Sequence, residues 1–574
     1  MKQPPIKTKE LSGSTVQIAD GQNWEIASIT AYGENAQGGT TEAPVAIDGV
    51  ESVHVTGRNL GNFRLLTNRA VYVHNFATYV AVGYYATEKP VIVHENVTYR
   101  LSSAGVSYFA GNLHFKNKKG KTISQLFEFN SFTVPNGTYY IMFSLASNTI
   151  TNPDAPIMLN LGNTALPYEP YRGSVTPLPI PRPLRRVGDV RDVCQTRVKS
   201  VYDKRIVLDG SESWTLGSAG TTYWTLVDDI ASGNHIASSY LNAYENDALF
   251  GPKVGIAANS NDKTIRVYLP GNANPSTYFA SNPLIVYYQS TAYDGTNGLD
   301  VCLTEYMTGF VELDGTEGIE YQSAYNRFAY TLPSTAVNDS GFCSHYKKLM
   351  TSAPGEDKYI VIRPEAVYFY DSQYTNADAF NAYLAAQKAA GTPVQVAYQL
   401  ATPEVYATDP VDFDNTAGPL TIMTGGELEV TLTHRMLTPY TTWAIRYDSE
   451  GEYTGDFFNV EDYDRIKQNI EYLREYAYFL YGGFTMRGMV AVTVESYGYA
   501  STIDALDANL EAIAANTFRP PDMMPVKQWR GNQPPPGADD WNRIENTCLL
   551  LFEQFERQFA CLPKLAFELK GSAF

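Results

Sequence analysis

Histidine and cysteine are scarce in this chain, and positive charge is scarcer than negative. Its 574 residues hold seven His and five Cys, and 43 Lys and Arg stand against 61 Asp and Glu, a formal charge of −18. That balance argues against nucleic acid as the main partner, because neutralising phosphates needs a basic surface. The cysteines (Cys194, Cys302, Cys343, Cys548 and Cys561) are odd in number and show no CxxC spacing. Small buried apolar residues are expected rather than a disulfide framework or a zinc site. His54, His74, His94 and His114 recur every 20 residues. None are close enough for i,i+2 or i,i+4 chelation, so they are expected on strand or loop surfaces without metal. No stretch approaches ~18 apolar residues, so no membrane insertion is expected. The opening MKQPPIKTKELSG lacks the apolar core of a signal peptide, which points to synthesis in a cytosol.

Catalytic signatures are missing too. KKGKT at 118–122 mimics the end of a phosphate-binding loop, but the required glycine is replaced by Phe115. There is no HExxH, GxSxG or GxGxxG in context. A glycosidase needs two carboxylates about 5–10 Å apart, and 61 acidic residues supply such pairs by chance. The expectation is a protein that is not an enzyme, with no catalytic, cofactor-binding or metal-ligating residue. No cofactor is indicated, and a structural calcium ion is left open.

What the chain has is apolar and aromatic mass: 44% hydrophobic residues and 42 Tyr. Residues 1–435 read as β structure. VAIDGVESVHVTG and AVYVHNFATYVAVGYYAT alternate apolar with polar residues, and VPNGTYYIMFSLAS opens on a turn signal. TPLPIPRPL at 176–184 has proline at every second position, which excludes helix and central strand and favours an extended connector. RIVLDGSESWTL at 205–216 matches GFVELDGTEGIE at 309–320, so Asp209-Gly210 pairs with Asp314-Gly315 at an offset of 105. Tyr288-Gln289 pairs with Tyr398-Gln399 at an offset of 110, and Tyr240 with Tyr346 at 106. A slowly growing offset is the mark of a duplication. In the second copy, NADAFNAYLAAQKAAG reads as a helix capped by Asn376 or Asp378 and ended by Gly391.

Beyond residue 436 the period changes. VEDYDRIKQNIEYLREY and GADDWNRIENTCLLLFEQF share Asp, an aromatic, a polar residue and Arg-Ile; STIDALDANLEAIAANTF is a degenerate third copy. Tyr463, Ile466, Ile470 and Leu473 align with Ile503, Leu506, Leu510 and Ile513 and with Trp541, Ile544, Cys548 and Leu551. The 3, 4, 3 spacing is one face of a helix. Three such stripes bury each other in a three-helix bundle. Asp462 and Asp540 suit caps, and the aromatic and Arg465 or Arg543 suit setting register between copies.

The expected fold is therefore multidomain and mainly β, tandem β-sandwich or jelly-roll domains followed by a helical bundle. The boundaries are a small β module at 1–58, a jelly roll at 59–173, a Pro-rich linker at 174–189, β-sandwich repeats at 190–307 and 308–435, and a helical module at 436–574. Candidate contact residues are the doublets Tyr84-Tyr85, Tyr139-Tyr140 and Tyr287-Tyr288. An exposed tyrosine can stack on a sugar ring or meet another subunit, although strand alternation puts one of each pair in the core.

NLGNTALPYEPYRGSVTPLPIPRPLRRVGDVRD at 160–192 resembles the end of a carbohydrate-binding-like jelly roll in tail proteins of phages infecting Gram-positive bacteria, with Tyr168, Glu169, Pro170 and Tyr171 carrying the match. VLDGSESWTL, VQVAYQLATPEVY, GGTTEAPVAIDGVESVHVTGRNL and the repeated helical phrase resemble further segments of such tail and baseplate proteins. The glycine of the family phrase before YEPY is present as Gly162, while Leu159-Asn160-Leu161 replaces its Gln-Leu-Glu. The resemblance implies a structural protein of the virion tail, in the tip, baseplate or fibre, made in the bacterial host cytoplasm. It implies other tail proteins as partners, a homotrimer and contact with host cell-surface polysaccharide. A tail-borne glycan depolymerase and a bacterial surface adhesin are the alternatives.

Overall fold

The structure, a computed structural model, describes residues 8–560 apart from segments of which the longer are 19–23, 36–46, 104–108, 147–156, 229–234, 245–253, 350–356, 414–419 and 493–499. Burial is not described across 61–86. The protein is mainly β, and the three longest helices among the described residues lie at its C-terminal side.

One antiparallel sheet of nine strands forms the frame. Its order is Gly173–Pro177, Ser52–Thr56, Leu420–His434, Trp24–Tyr32, Val193–Lys199, Asp300–Leu313, Val394–Thr408 and Ala336–Cys343, with Thr8–Ile18 paired to Leu420–His434. The frame thus draws strands from the N-terminal segment and from both repeats. Its apolar face, including Ile29, Val53, Ile422 and Leu432, packs in one core with Leu184 and with the second repeat. The Pro-rich segment is extended and sewn onto this frame. Its start is the edge strand Gly173–Pro177, where a missing N–H costs least. Leu178 and Leu184 are buried, and Asp192 accepts hydrogen bonds from the backbone N–H groups of Arg185, Met307 and Thr308 and from the Thr308 hydroxyl, each at 2.8 Å. Burial pushes the Asp192 carboxyl up to about 6 against those donors.

Residues 59–173 contribute two facing sheets. One holds Thr122–Phe129, Phe109–Lys116 and Tyr140–Ala146; the other holds Ser131–Thr133, Thr98–Ser103 and Ile157–Leu161. Tyr99, Phe109, Leu113, Phe115, Phe143 and Leu159 fill the space between them. His54, His94 and His114 are buried rather than on the surface, and desolvation lowers each to about 4. The side chain of His74 lies outside the described residues.

The two repeats have one plan. In the first, Lys204–Leu208, Leu284–Tyr288 and Ile236–Ser238 line up in that order; in the second, Asp300–Leu313, Val394–Thr408 and Ala336–Cys343 do the same. Leu208 faces Leu284 as Leu313 faces Val394. Each repeat adds a five-stranded sheet whose final pair is parallel, Ala243 beside Ile256 and Lys347 beside Tyr359. Each packs one helix on its core, α1 (Pro275–Ser281) through Phe279 and α2 (Ala377–Ala389) through Phe380. Asn376 caps α2 by accepting from the Ala379 N–H at 2.9 Å. The Asp-Gly turns are superposable in their bonding. Glu212 accepts from Asp209 and Gly210 N–H, and Glu317 from Asp314 and Gly315 N–H. Gly210 and Gly315 have φ of 91° and 90°, and a Cβ there would meet the carbonyl oxygen of Ser276 at 2.3 Å or of Asn381 at 2.4 Å.

The C-terminal module is a bundle of α3 (Val460–Tyr481), α4 (Ala500–Asn516) and α5 (Ala538–Ala560), each touching the other two. The twelve stripe positions from Tyr463 to Leu551 are all buried in one core. At roughly 1.5–3 kcal/mol per fully buried large side chain, this stripe burial is the main stabilising term of the bundle.

Candidate functional site

The repeated phrase supplies the caps and pegs of the bundle. Asp462 accepts from the Asn459 N–H at 3.1 Å, while Asn459 accepts from Glu461 and Asp462, which closes a capping box on α3. Asp540 accepts from the Gly537 N–H at 3.1 Å, the same role 78 residues later. Arg465 reaches from α3 to Glu545 on α5 at 2.6 Å and holds Asp462 at 2.6 Å. Arg543 reaches from α5 to Asp507 on α4 through two bonds of 2.6 and 2.8 Å, with both partners buried. Trp529 donates its indole N–H to the same Asp507 at 2.7 Å. The two arginines therefore fix α3 against α5 and α5 against α4. Burial pushes the Glu545 carboxyl up to about 7, with Arg465 pulling against it. Ile466, Ile503, Leu506 and Ile544 are buried beside these pegs.

The sequence pattern of caps and apolar stripes did not flag a pair of asparagines at the same offset of 40. Asn469 on α3 accepts from the Leu437 N–H at 2.8 Å. Asn509 on α4 accepts from the Arg487 N–H at 2.7 Å and donates to its carbonyl at 2.8 Å. Each clamps an irregular segment against its helix. Asn542 on α5 likewise holds both the N–H and the carbonyl of Trp443, at 2.8 and 2.9 Å.

That last clamp builds a surface feature. Residues 444–456, apart from Gly451 and Tyr453, which lie outside the described residues, fold back on themselves through Thr454 N–H to the Arg446 carbonyl and Asp456 N–H to the Ala444 carbonyl, and the Asp456 carboxylate takes the Ala444 N–H at 2.8 Å. The turn is closed by Asp448, which accepts from Glu450 and Glu452. Tyr463 donates its hydroxyl to the Val490 carbonyl at 3.2 Å from within the core. Trp541 stacks face to face on Phe458 at 3.6 Å between centroids, and Trp443 lies against Phe458 and Tyr440. Between this aromatic floor and the folded-back segment is an open groove of about 400 Å³, within the range of ligand pockets. Trp443 and Trp541 are 6% and 5% exposed at its floor; Ile445, Tyr447 and Phe457 are 62%, 65% and 73% exposed at its lip. Asp456 is the one charged residue in the lining among the described residues. Chemically, the arrangement can hold an apolar group against rings and place a cation beside a carboxylate.

The tyrosine doublets are distributed differently. Tyr287 and Tyr288 are both buried, at 1% and 2% exposed, which corrects the expectation that one of them faces outward. Tyr288 lies in the core of the first repeat, while Tyr287 packs on Tyr202 and Ala407 and donates its hydroxyl to Asp409 at 2.5 Å. The strand carrying them is covered on both faces, so neither ring can meet a glycan. Tyr139 and Tyr140 are half-buried at the start of the strand Tyr140–Ala146. The backbones of Tyr84 and Tyr85 pair with Ala146 and Leu145, and their side chains lie outside the described residues. Tyr168 of the YEPY phrase is 49% exposed; Glu169 and Pro170 lie outside the described residues.

Among the described residues no group of three or more His, Cys, Asp or Glu is placed to hold a metal ion, and no helix is long and apolar enough to cross a membrane. Comparison with protein-family models, with curated proteins and with solved structures finds no match.

Proposed function

We propose that this chain is a structural protein of a phage tail, part of the tip, baseplate or fibre. It is made in the bacterial host cytoplasm and built into the virion as a homotrimer. In this reading the jelly roll and duplicated β units face the host surface, with its polysaccharide as the candidate ligand, and the helical module docks onto a neighbouring tail protein. The tail-protein resemblance around Tyr168–Tyr171 motivates the assignment. The observation that carries it is the division of surfaces. Nine of the twenty exposed large apolar side chains among the described residues lie between Tyr440 and Met524, on the helical module. Concentrated apolar exposure marks a docking face, while the long β frame supports a scaffold rather than a turnover site.

Quantitative mass spectrometry of purified particles tests it. The expected result is this chain in the particle, in a copy number that is a multiple of three, as tail symmetry imposes on a trimer. A monomer missing from particles overturns the assignment. Release of reducing ends from host wall polysaccharide by the purified chain would move it to the depolymerase alternative.

A further inference from the structure

We infer that the groove of the helical module receives a basic segment of a partner protein, an arginine or lysine flanked by an apolar residue. The inference rests on the tail-scaffold reading for the identity of the assembly, but on the groove itself for the chemistry.

Three observations converge. The first is the lining. Rings dominate it, and among the described residues Asp456 is its one charged group. A pyranose presents several hydroxyls that each need a polar partner once desolvated. A lining of rings with one carboxylate leaves most of them unmet. A long basic side chain asks for the opposite: an apolar wall for its stem, a ring face and one anion for its head. The second is the charge around the groove. The folded-back segment carries Asp448, Glu450, Glu452 and Asp456 against Arg446 alone. Across residues 436–560 there are nineteen Asp and Glu against ten Lys and Arg, so half of the chain's net charge of −18 sits on about a fifth of its length. Such a field attracts a basic segment and repels an acidic one. The third is the lip, where Tyr447 and Phe457 stand exposed above a buried aromatic floor. Large rings held at the edge of a preformed cleft are the side chains that anchor protein contacts.

The test uses the full chain and a displayed library of random twelve-residue peptides. The expected result is enrichment of peptides with Arg or Lys next to an aromatic or aliphatic residue. Tyr447→Ala and Phe457→Ala, both exposed and outside the bundle core, weaken the selected peptides about tenfold. Asp456→Asn, which keeps an oxygen for the Ala444 N–H, weakens them about threefold and flattens their salt dependence. Enrichment without basic residues, no enrichment at all, binding indifferent to Tyr447→Ala and Phe457→Ala, or displacement by a neutral oligosaccharide each overturns the inference. A chain present in particles whose groove selects no basic peptide refutes the groove alone. A chain absent from particles that still selects such peptides refutes the tail assignment and leaves the groove standing.

Discussion

Removing Arg543 should unfold the helical module before anything else. Its guanidinium forks onto Asp507, and both side chains are buried, at 5% and 0% exposed. Arg543→Met leaves the Asp507 carboxylate in the core with, among the described residues, only the Trp529 N–H as partner. Breaking a buried pair from one side costs about 3–5 kcal/mol, because the stranded charge keeps its desolvation penalty. For a module of about 125 residues, 1 kcal/mol corresponds to roughly 3–6 °C, so its transition should fall by about 10–30 °C. Arg543→Met combined with Asp507→Asn removes both charges and keeps an acceptor for Trp529, so it should recover most of the loss. Calorimetry of the full chain follows the transition, and hydrogen exchange of α4 and α5 amides assigns it to the bundle. A single variant costing less than about 1 kcal/mol, or a double variant no better than the single, would show that the pair does not hold α5 on α4.

Trp541→Ala should cost about 3–5 kcal/mol by emptying the space against Phe458, whereas Phe457→Ala, 73% exposed, should shift the melting temperature by the equivalent of about 0.5 kcal/mol or less. Gly315→Ala should destabilise the second repeat by roughly 1–3 kcal/mol, since φ is 90° and the new methyl meets the α2 backbone; an unchanged denaturation midpoint would remove the case for close helix approach. His54, His94 and His114 are held near pH 4 in the fold against an ordinary value of 6.5. The unfolded chain takes up their protons first, so this contribution is full above pH 6.5 and is lost as the pH falls toward 4. Urea midpoints at pH 7.5 and pH 5 should differ accordingly, and His94→Gln should narrow the difference.

The bundle was legible because its evidence is local. The spacing of Tyr463, Ile466, Ile470 and Leu473 and its two echoes state both the helices and the face each must bury. The duplication was legible for a related reason. Asp209-Gly210 and Asp314-Gly315 mark turns where a helix presses on the backbone, so the residues cannot drift. The nine-stranded frame was not legible. Alternation reveals a strand but not its neighbour, and Val16 lies opposite Ile422 across some four hundred residues of chain. Tyr287 misled for the same reason: alternation says which face a ring is on, and only tertiary structure says that Ala407 covers it. The groove was hidden because Trp443, Phe457 and Phe458 fall in a segment with no period, where aromatic density is the sole signal.

The pairing of Thr8–Ile18 with Leu420–His434 also bears on how the molecule is made. At about 5–20 residues per second, a ribosome needs roughly 20–80 s to deliver the second strand after the first. The repeats can fold during that wait, since their strands are near in sequence, while the opening strand must stay unpaired. Frame closure thus comes late in synthesis, and a product cut short before residue 420 is left with an open hydrogen-bonding edge, a defect that exposes it to aggregation and proteolysis.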